Sequence, residues 1–242
     1  MDAVNILTTK GLTKAYGGIK ANTDIDFALP RGKTMALIGP NGAGKSTFVG
    51  MLCGRISATR GDVFFEGANI NALPAHQRIS LGIAYTFQIT SVFAGLSLHE
   101  NVALAARRRL GADVAAVNAK VADVLARVGL AERTDQIAGD LSYGHQRLLE
   151  IAMGLAQDPR LFILDEPTQG LADSEVEEFI ALINTLAGET TILLIEHNMD
   201  VVMKTATHIT VLDAGEVLAA GTPEDIRANA AVQAAYLGTS DA

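Results

Sequence analysis

Cysteine is nearly absent from this chain of 242 residues, and its one thiol, Cys53, excludes an intrachain disulfide. Such a composition is typical of a reducing compartment. No run approaches the roughly 18 apolar residues of a membrane-spanning helix, and the first residues lack the basic-then-apolar pattern of a signal peptide. We therefore expect a cytoplasmic protein that acts at a membrane only through a partner, with Cys53 an inert core thiol.

Positive charge is also scarce, since 19 Lys and Arg face 27 Asp and Glu and give a formal net charge of -8. This balance disfavours a protein whose affinity for nucleic acid comes from neutralising phosphates. The arginine run 107–109 is too short to reverse it, and we interpret it as a solvated helix end. The hydrophobic content of 49% and the length fit one globular domain, with or without a lobe.

Short, continuously apolar runs predict parallel strands covered on both faces, at residues 34–38, 161–164, 191–195 and 209–212. Helical patterns lie between them. One follows a capping box predicted at residues 174–177, and its apolar stripe consists of Val176, Phe179, Ile180, Ile183 and Leu186. This alternation predicts an α/β domain built on a sheet.

Between residues 97 and 130 the apolar residues follow helical spacing without a strand-like run, which predicts a helical lobe. The residues with this spacing are Val114, Val117, Val121, Leu125 and Val128. A further helix is predicted over residues 143–157, ending before Pro159. Its apolar face consists of Leu148, Ile151, Ala152 and Leu155.

The most specific local motif fits G-x-x-x-x-G-K-[ST] and lies between a predicted strand and a helix predicted over residues 46–53. Its glycines turn backbone N–H groups inward to cradle phosphate oxygens, Lys45 adds positive charge near the outer phosphates, and Ser46 offers a hydroxyl to Mg²⁺. Nucleotide binding is therefore predicted, although kinases, GTPases and ATPases all share this loop. The motif is Gly39, Pro40, Asn41, Gly42, Ala43, Gly44, Lys45, Ser46 and Thr47.

Two carboxylates, Asp165 and Glu166, end the apolar run that begins at Leu161. Ligands of open α/β sheets bind at the carboxyl ends of the strands, so both acids are expected beside the phosphate loop. Asp165 is predicted to hold Mg²⁺, directly or through water. Glu166 is the predicted general base that orients or deprotonates the water attacking the γ-phosphate.

In their order and approximate spacing, these motifs resemble those of ABC ATPases over nearly the whole chain. The resemblance rests further on Tyr16, Gln88, His197 and the segment 141–146, LSYGHQ, which is similar to the ABC signature LSGGQ. It implies a P-loop fold with a parallel-sheet core, an N-terminal antiparallel β part and an inserted α-helical lobe. We expect one ABC ATPase domain over residues 1–242, with the core at about 1–88 and 158–242 and the lobe at about 89–157.

The resemblance also implies roles for single residues. Tyr16 would stack on adenine, Gln88 would touch Mg²⁺ and the attacking water, and His197 would contact the γ-phosphate. In this family ATP is clamped between the phosphate loop of one subunit and the signature of another. Here the signature residues Ser142, Gly144 and Gln146 would meet the nucleotide of the partner.

Three positions depart from the family pattern. In the signature, Tyr143 replaces a glycine and His145 replaces a glutamine. The loss of the glycine reduces the backbone flexibility of the segment. Ala172 stands where an aspartate is usual, with Asp173 one residue later. Communication between two ATP sites is therefore less directly implied than ATP binding.

The chain is similar to the ATP-binding subunits of branched-chain amino acid importers in four segments. They are TFQ at 86–88, LSYG at 141–144, EHNMDVVM at 196–203 and the C-terminal segment 221–238. Urea, short amides and other solutes remain alternatives. The resemblance implies membrane permease subunits, a second ABC ATPase (paralogous or self) and, indirectly, an extracytoplasmic solute-binding protein as partners, with the chain peripheral on the cytoplasmic face of the membrane. Permease helices are expected to dock in the groove near Gln88 and the helical lobe, including residues 89–98, and charge or bulk at Val92 or Phe93 should uncouple transport from ATP hydrolysis.

Functions of other classes are less compatible with the sequence. An ABC ATPase of DNA repair would need a long coiled-coil insertion, and a ribosome-bound translation factor would normally need two ABC units. A small-molecule P-loop kinase would leave the signature and His197 without a role.

Overall fold

The computed structural model describes residues 4–86 and 91–237. The strands of this part are β1 Asn5–Tyr16, β2 Ile19–Pro30, β3 Thr34–Ile38, β4 Arg60–Phe65, β5 Ala68–Asn69, β6 Ile83–Thr86, β7 Leu161–Asp165, β8 Thr191–Ile195, β9 His208–Asp213 and β10 Glu216–Gly221. Its α-helices are α1 Lys45–Leu52, α2 Ala75–Ser80, α3 Leu98–Leu110, α4 Val114–Arg127, α5 Tyr143–Leu155, α6 Asp173–Leu186, α7 Met199–Thr205, α8 Pro223–Ala228 and α9 Ala230–Leu237. Short 3₁₀ turns lie at Ala131–Arg133 and Ala138–Asp140.

The larger sheet has the strand order β10-β9-β3-β8-β7-β6 within the described residues. The strands from β9 to β6 are parallel, and β10 joins antiparallel to β9. Every residue of β3, β7 and β8 is buried, because helices or the second sheet cover both faces. The four predicted strands are therefore confirmed.

Alternate residues of the central strands enter different apolar clusters, as the two-residue period of a strand requires. In β7, Phe162 and Leu164 face the cluster shared with the helical lobe. Leu161 and Ile163 face a second cluster, formed with α1 and the antiparallel sheet.

The smaller sheet is antiparallel and has the order β2-β1-β4-β5. It packs against α1, where the rings of Phe27 and Phe48 meet edge to face with centroids 5.4 Å apart. Cys53 is buried, as predicted, but it follows α1 as the C-cap and does not lie inside the helix. This packing fixes the start of α1, and with it the phosphate loop.

Helices α3, α4 and α5 form the predicted helical lobe around a common apolar cluster that includes Val102, Val121 and Leu125. The side chain of Ser97 and that of Glu100 cap the first turn of α3 reciprocally. Val114 does not belong to the buried stripe, because it opens α4 and is 64% exposed. Within residues 4–86 and 91–237, none of the helices has the length and hydrophobicity of a membrane span.

Three predicted helices have other bounds in the structure. Helix α1 begins and ends one residue earlier than the predicted range 46–53. Helix α6 begins at Asp173, and its N-cap is Ala172, whose N–H donates to Glu175 Oε2 at 2.9 Å. Ser174 therefore lies inside the first turn, because the glutamate caps the helix without a serine. Helix α5 ends at Leu155, two residues earlier than predicted, since Asp158 has a φ of 49° and Pro159 follows.

The arginine run occupies the exposed last turn of α3, as predicted, and it also ties the lobe to the core. Arg108 Nη2 donates to His76 O at 2.6 Å and to Ser80 Oγ at 3.1 Å. Arg109 pairs with Asp158, 3.7 Å away. These contacts supplement the apolar junction between the lobe and the sheet.

Candidate functional site

The phosphate loop follows β3, which lies between β8 and β9 in the larger sheet. Gly44 has a φ of 93°, and a Cβ there would lie 2.4 Å from Ala21 O and 2.6 Å from Asn22 Nδ2. Gly39 has a φ of 153°, and a Cβ there would lie 2.1 Å from Leu212 O. Neither position can carry a side chain unless a neighbouring strand moves, so both glycines are required for the turn into α1.

Helix α1 begins at Lys45, so the N–H groups of its first turn have no partner inside the helix and are available to an anion. Lys45 Nζ donates to Gly39 O at 2.8 Å and to Pro40 O at 3.1 Å. Burial lowers the pKa of Lys45, and the nearby charges of Glu166 and Asp165 oppose that shift. The lysine and the two acids therefore form one electrostatic cluster.

A cavity of about 500 Å³ opens beside the loop and is lined by residues 41–47 and Glu166. Its other lining residues, which were not predicted, are Ile19, Lys20, Ala21 and Ala214. They come from the start of β2 and from the turn between β9 and β10, far apart in the chain, and no local motif marks them.

Asp165 ends β7 and is 7% exposed. Tyr85 on the neighbouring β6 donates its phenol proton to Asp165 Oδ2 at 2.6 Å. Burial raises the pKa of Asp165, the hydrogen bond from Tyr85 opposes the shift, and the charge of Glu166 adds to it. A buried carboxylate beside a phosphate loop is a suitable ligand for a hard cation.

Glu166 has a φ of 46°, a left-handed conformation that costs a non-glycine residue free energy. Its N–H donates to Ile195 O at 2.9 Å, which ties the end of β7 to that of β8. Its carbonyl oxygen accepts from Gln169 N at 3.2 Å. Strain held by surrounding hydrogen bonds is common at functional sites, and here it presents Glu166 to the cavity.

Tyr16 lies at the end of β1, half exposed, with the Lys14 ammonium 4.8 Å from its ring centroid. It pairs in register with Ile19, which lines the cavity. Tyr16 is therefore paired with a residue that lines the cavity, and half of its surface is accessible.

The signature segment forms the start of α5. Ser142 is the N-cap, and its Oγ accepts from His145 N at 3.3 Å and lies 2.7 Å from His145 Nδ1. Gly144 is packed so closely that a Cβ would lie 2.1 Å from Glu175 Oε1. Gln146 Nε2 donates to Ala138 O and Leu141 O, both at 3.3 Å. None of the signature residues lines the phosphate-loop cavity of its own chain in the described structure.

His197 follows β8, and its side chain is 57% exposed. The residue before it, Glu196, is fully buried and was missed by the sequence analysis. Glu196 Oε2 accepts from His197 N at 2.9 Å and from Asn198 N at 3.0 Å. The only available signal was an acid at the end of an apolar strand, as at Asp165. Gln88, predicted to be catalytic and a metal ligand, lies outside the described residues.

The fold and this cavity define a P-loop nucleotide-binding domain. The family model for the ABC transporter matches residues 22–169, and that for the branched-chain amino acid ATP-binding cassette transporter matches residues 216–242. The chain therefore belongs to the ABC transporter family, as one of its ATP-binding proteins.

Similar proteins cover nearly the whole chain. The high-affinity branched-chain amino acid transport ATP-binding protein BraF of Pseudomonas aeruginosa is 38% identical, over 96% of this chain and 98% of its own. The corresponding protein LivG of Escherichia coli is 36% identical, with the same coverage. A solved ATP-binding cassette of an ABC transporter, in its ADP conformation, superposes with a TM-score of 0.86 at 26% identity, over 97% of this chain and 99% of its own. The fold predicted from the sequence is confirmed.

Proposed function

We propose that this chain binds and hydrolyses MgATP as the motor subunit of an importer of branched-chain amino acids. The observation that carries the ATPase proposal is that the phosphate loop, Lys45 and Glu166 line one cavity, while the buried Asp165 lies next to Glu166 and close enough to influence the charge of Lys45. The proposed solute rests on the names of the relatives BraF and LivG and on the match at residues 216–242.

The loop and the N-terminus of α1 would bind the phosphates of ATP, and Lys45 would exchange its carbonyl partners for phosphate oxygens. Tyr16 would stack on the adenine. Gly39 and Pro40 shape the loop, while residues 41–47 line the cavity and would contact the nucleotide.

Magnesium fits this donor set. Among the described residues no group of three or more His, Cys, Asp and Glu could hold a metal ion. Mg²⁺, however, prefers one or two carboxylates together with substrate phosphates. Ser46, Asp165 and, by resemblance, Gln88 would hold it, and it would neutralise charge on the phosphate oxygens.

Glu166 would orient and deprotonate the water that attacks the γ-phosphorus, while the bond to the leaving ADP oxygen breaks and ADP and phosphate form. His197 would contact the γ-phosphate. The signature residues Ser142, Gly144 and Gln146 would complete the site of a second ABC ATPase, whether a paralogue or a second copy. This arrangement is supported by their absence from the lining of the cavity in their own described chain.

Membrane permease subunits would dock at the lobe, for which we retain the approximate limits 89–157. Phe93 is 54% exposed in the loop before α3. Asn101 is fully buried and holds this loop through Phe93 N at 2.8 Å and Phe93 O at 3.1 Å. A rigidly held, exposed aromatic ring is a suitable anchor for a partner helix.

The ATPase proposal is tested with Glu166→Gln in the full complex with its membrane partners. The variant should bind ATP within about twofold of the wild-type affinity but hydrolyse it at least about a hundredfold more slowly. Undiminished turnover would exclude Glu166 as the base. The exposed acid Glu178, changed to Gln, is the matched control.

The solute is tested in the same complex by ATP hydrolysis against leucine, isoleucine, valine, urea and short amides. Stimulation by the branched-chain amino acids is expected, and stimulation by urea or amides alone would support the alternative function in a urea or amide transporter.

The docking surface is tested with Phe93→Asp. This variant should keep ATP hydrolysis but lose its stimulation by solute, because the permease contact is broken. Normal stimulation would exclude this docking surface.

A further inference from the structure

The carboxylate of Glu196 joins two loops that carry the proposed catalytic groups. Its Oε1 accepts from Thr168 N at 3.1 Å and from Thr168 Oγ1. Its Oε2 accepts from His197 N and Asn198 N, at 2.9 and 3.0 Å. Glu196 is fully buried and Thr168 is 6% exposed, so the bonds lie away from water.

Each loop starts from the carboxyl end of a central strand. Thr168 comes two residues after Glu166, in the loop that leaves β7, and His197 comes two residues after the end of β8. The backbone bond from Glu166 N to Ile195 O joins the same two loops one step closer to the sheet. Glu196 therefore forms the outer of two links that set the distance between Glu166 and His197.

An amide cannot reproduce this arrangement, although it has the same shape. Glutamine has one acceptor oxygen and one donor NH₂ group. Whichever way it turns, its NH₂ group meets either the N–H groups of His197 and Asn198 or the N–H of Thr168. One loop must then shift or lose its buried hydrogen bonds.

We propose that Glu196 is a positioning residue for ATP hydrolysis, which holds His197 at a fixed distance from Glu166. The proposal rests on the function proposed above, because it assigns those two residues to the γ-phosphate. Because Glu196 is fully buried, it would act through the two loops that it joins and not by contact with the nucleotide. Its loss should slow the chemical step and leave ATP binding almost unchanged, since the phosphate loop lies on a separate strand.

The test measures kcat and KM for ATP in the full complex, with ATP affinity and melting temperature measured on each purified variant. Glu196→Gln should lower kcat at least about tenfold, because a misplacement of about 1 Å at a catalytic group costs on the order of a hundredfold. The KM should change less than about threefold. Thr168→Val removes one donor to the same carboxylate and should give a smaller loss of kcat, which keeps the proposal testable if Glu196→Gln does not fold.

A double-mutant cycle separates positioning from a general loss of structure. Once His197→Ala has removed the positioned group, the additional change Glu196→Gln or Thr168→Val should lower kcat by less than about twofold. If either change lowers kcat in the His197→Ala background as strongly as it does in the wild type, the proposal is overturned. A wild-type kcat in the folded variants Glu196→Gln and Thr168→Val would also overturn it. If instead Glu166→Gln and His197→Ala hydrolyse ATP normally, the catalytic roles proposed for these two residues are wrong, whereas a wild-type complex that does not hydrolyse ATP would refute the proposed function itself. Glu178→Gln is the control and should match the wild type.

Discussion

Tyr85 and Asp165 lie on neighbouring strands, and the phenol of the first donates a 2.6 Å hydrogen bond to the carboxylate of the second. This bond favours the ionised carboxylate, whereas burial, the largest influence, disfavours it, and the pKa of Asp165 is raised overall. A carboxyl whose pKa is higher in the folded than in the unfolded state destabilises the fold at pH values above both pKa values. The ionised carboxylate of Asp165 therefore lowers the stability of the fold at neutral pH.

Replacing Asp165 with Asn should stabilise the metal-free protein at pH 7 by about 0.5–2 kcal/mol, since the unfavourable buried charge is removed. The same change should abolish Mg²⁺-dependent hydrolysis. Urea unfolding with EDTA measures the first effect, and its size should shrink as the pH falls through the pKa of Asp165. Tyr85→Phe should destabilise the wild type by about 1–2 kcal/mol, and the Asp165→Asn variant by less. Lower stability of Asp165→Asn at pH 7 would contradict the argument.

Two glycines of the phosphate loop form a matched pair. Gly42 and Gly44 both have left-handed φ values, of 81° and 93°, but a Cβ on Gly42 meets nothing within 4 Å, whereas one on Gly44 meets β2. Gly42→Ala should cost about 1–2 kcal/mol of stability from backbone strain alone. Gly44→Ala should cost about 2–5 kcal/mol and weaken ATP binding at least tenfold, because the overlap adds to the strain. Thermal unfolding and ATP titration compare the two, and equal effects would exclude the steric explanation.

The thiol of Cys53 should be unreactive in the folded protein. Burial raises its pKa to about 12, so almost no thiolate exists at pH 8, and the sulfur is also out of contact with solvent. Labelling with a disulfide reagent should be at least about a hundredfold slower in buffer than in denaturing urea. Rapid stoichiometric labelling of the folded chain would show that α1 opens readily.

Glu66 joins Arg31 and Arg160, and its hydrogen bond to Arg31 is the largest cause of its lowered pKa. A lowered folded-state pKa contributes stability above the unfolded value of about 4.3, and that stability is lost as the pH falls through the folded value. Glu66→Gln should therefore destabilise the protein at pH 7 by less than about 1 kcal/mol, because solvent screens these exposed ion pairs, and the difference from wild type should vanish in acid. Denaturant unfolding from pH 7 downward measures this. Glu216→Gln, an exposed control on β10, should show no such trend.

The elements best predicted from the sequence were those whose structure is determined by residues adjacent in the chain. The bounds of β3 and β8 were correct, because a fully buried parallel strand has an unbroken apolar run. The phosphate loop was recognisable because its glycines, Lys45 and Ser46 are adjacent in the chain. The cap of α6 was misplaced, since Glu175 can cap Ala172 without the serine or threonine that marks such a start.

The parts that could not be predicted depend on contacts between distant segments. Lys20 and Ala214 reach the cavity only because β2 and the turn after β9 are brought to the phosphate loop by the fold. Glu196 resembles any acid at the end of a strand until its four donors are seen. The roles of Tyr16, Ser142, Gly144, Gln146 and His197 remain predictions that the experiments above can test.

Neighbouring side chains along β7 point to opposite faces of the sheet and are subject to different packing constraints. Phe162 and Leu164 belong to the cluster beneath the lobe, while Leu161 and Ile163 belong to the one beneath the phosphate loop. A substitution at Phe162 or Leu164 should therefore disturb the packing of the lobe and leave the support of the phosphate loop intact. The surface of the lobe can be altered in this way without loss of the nucleotide site.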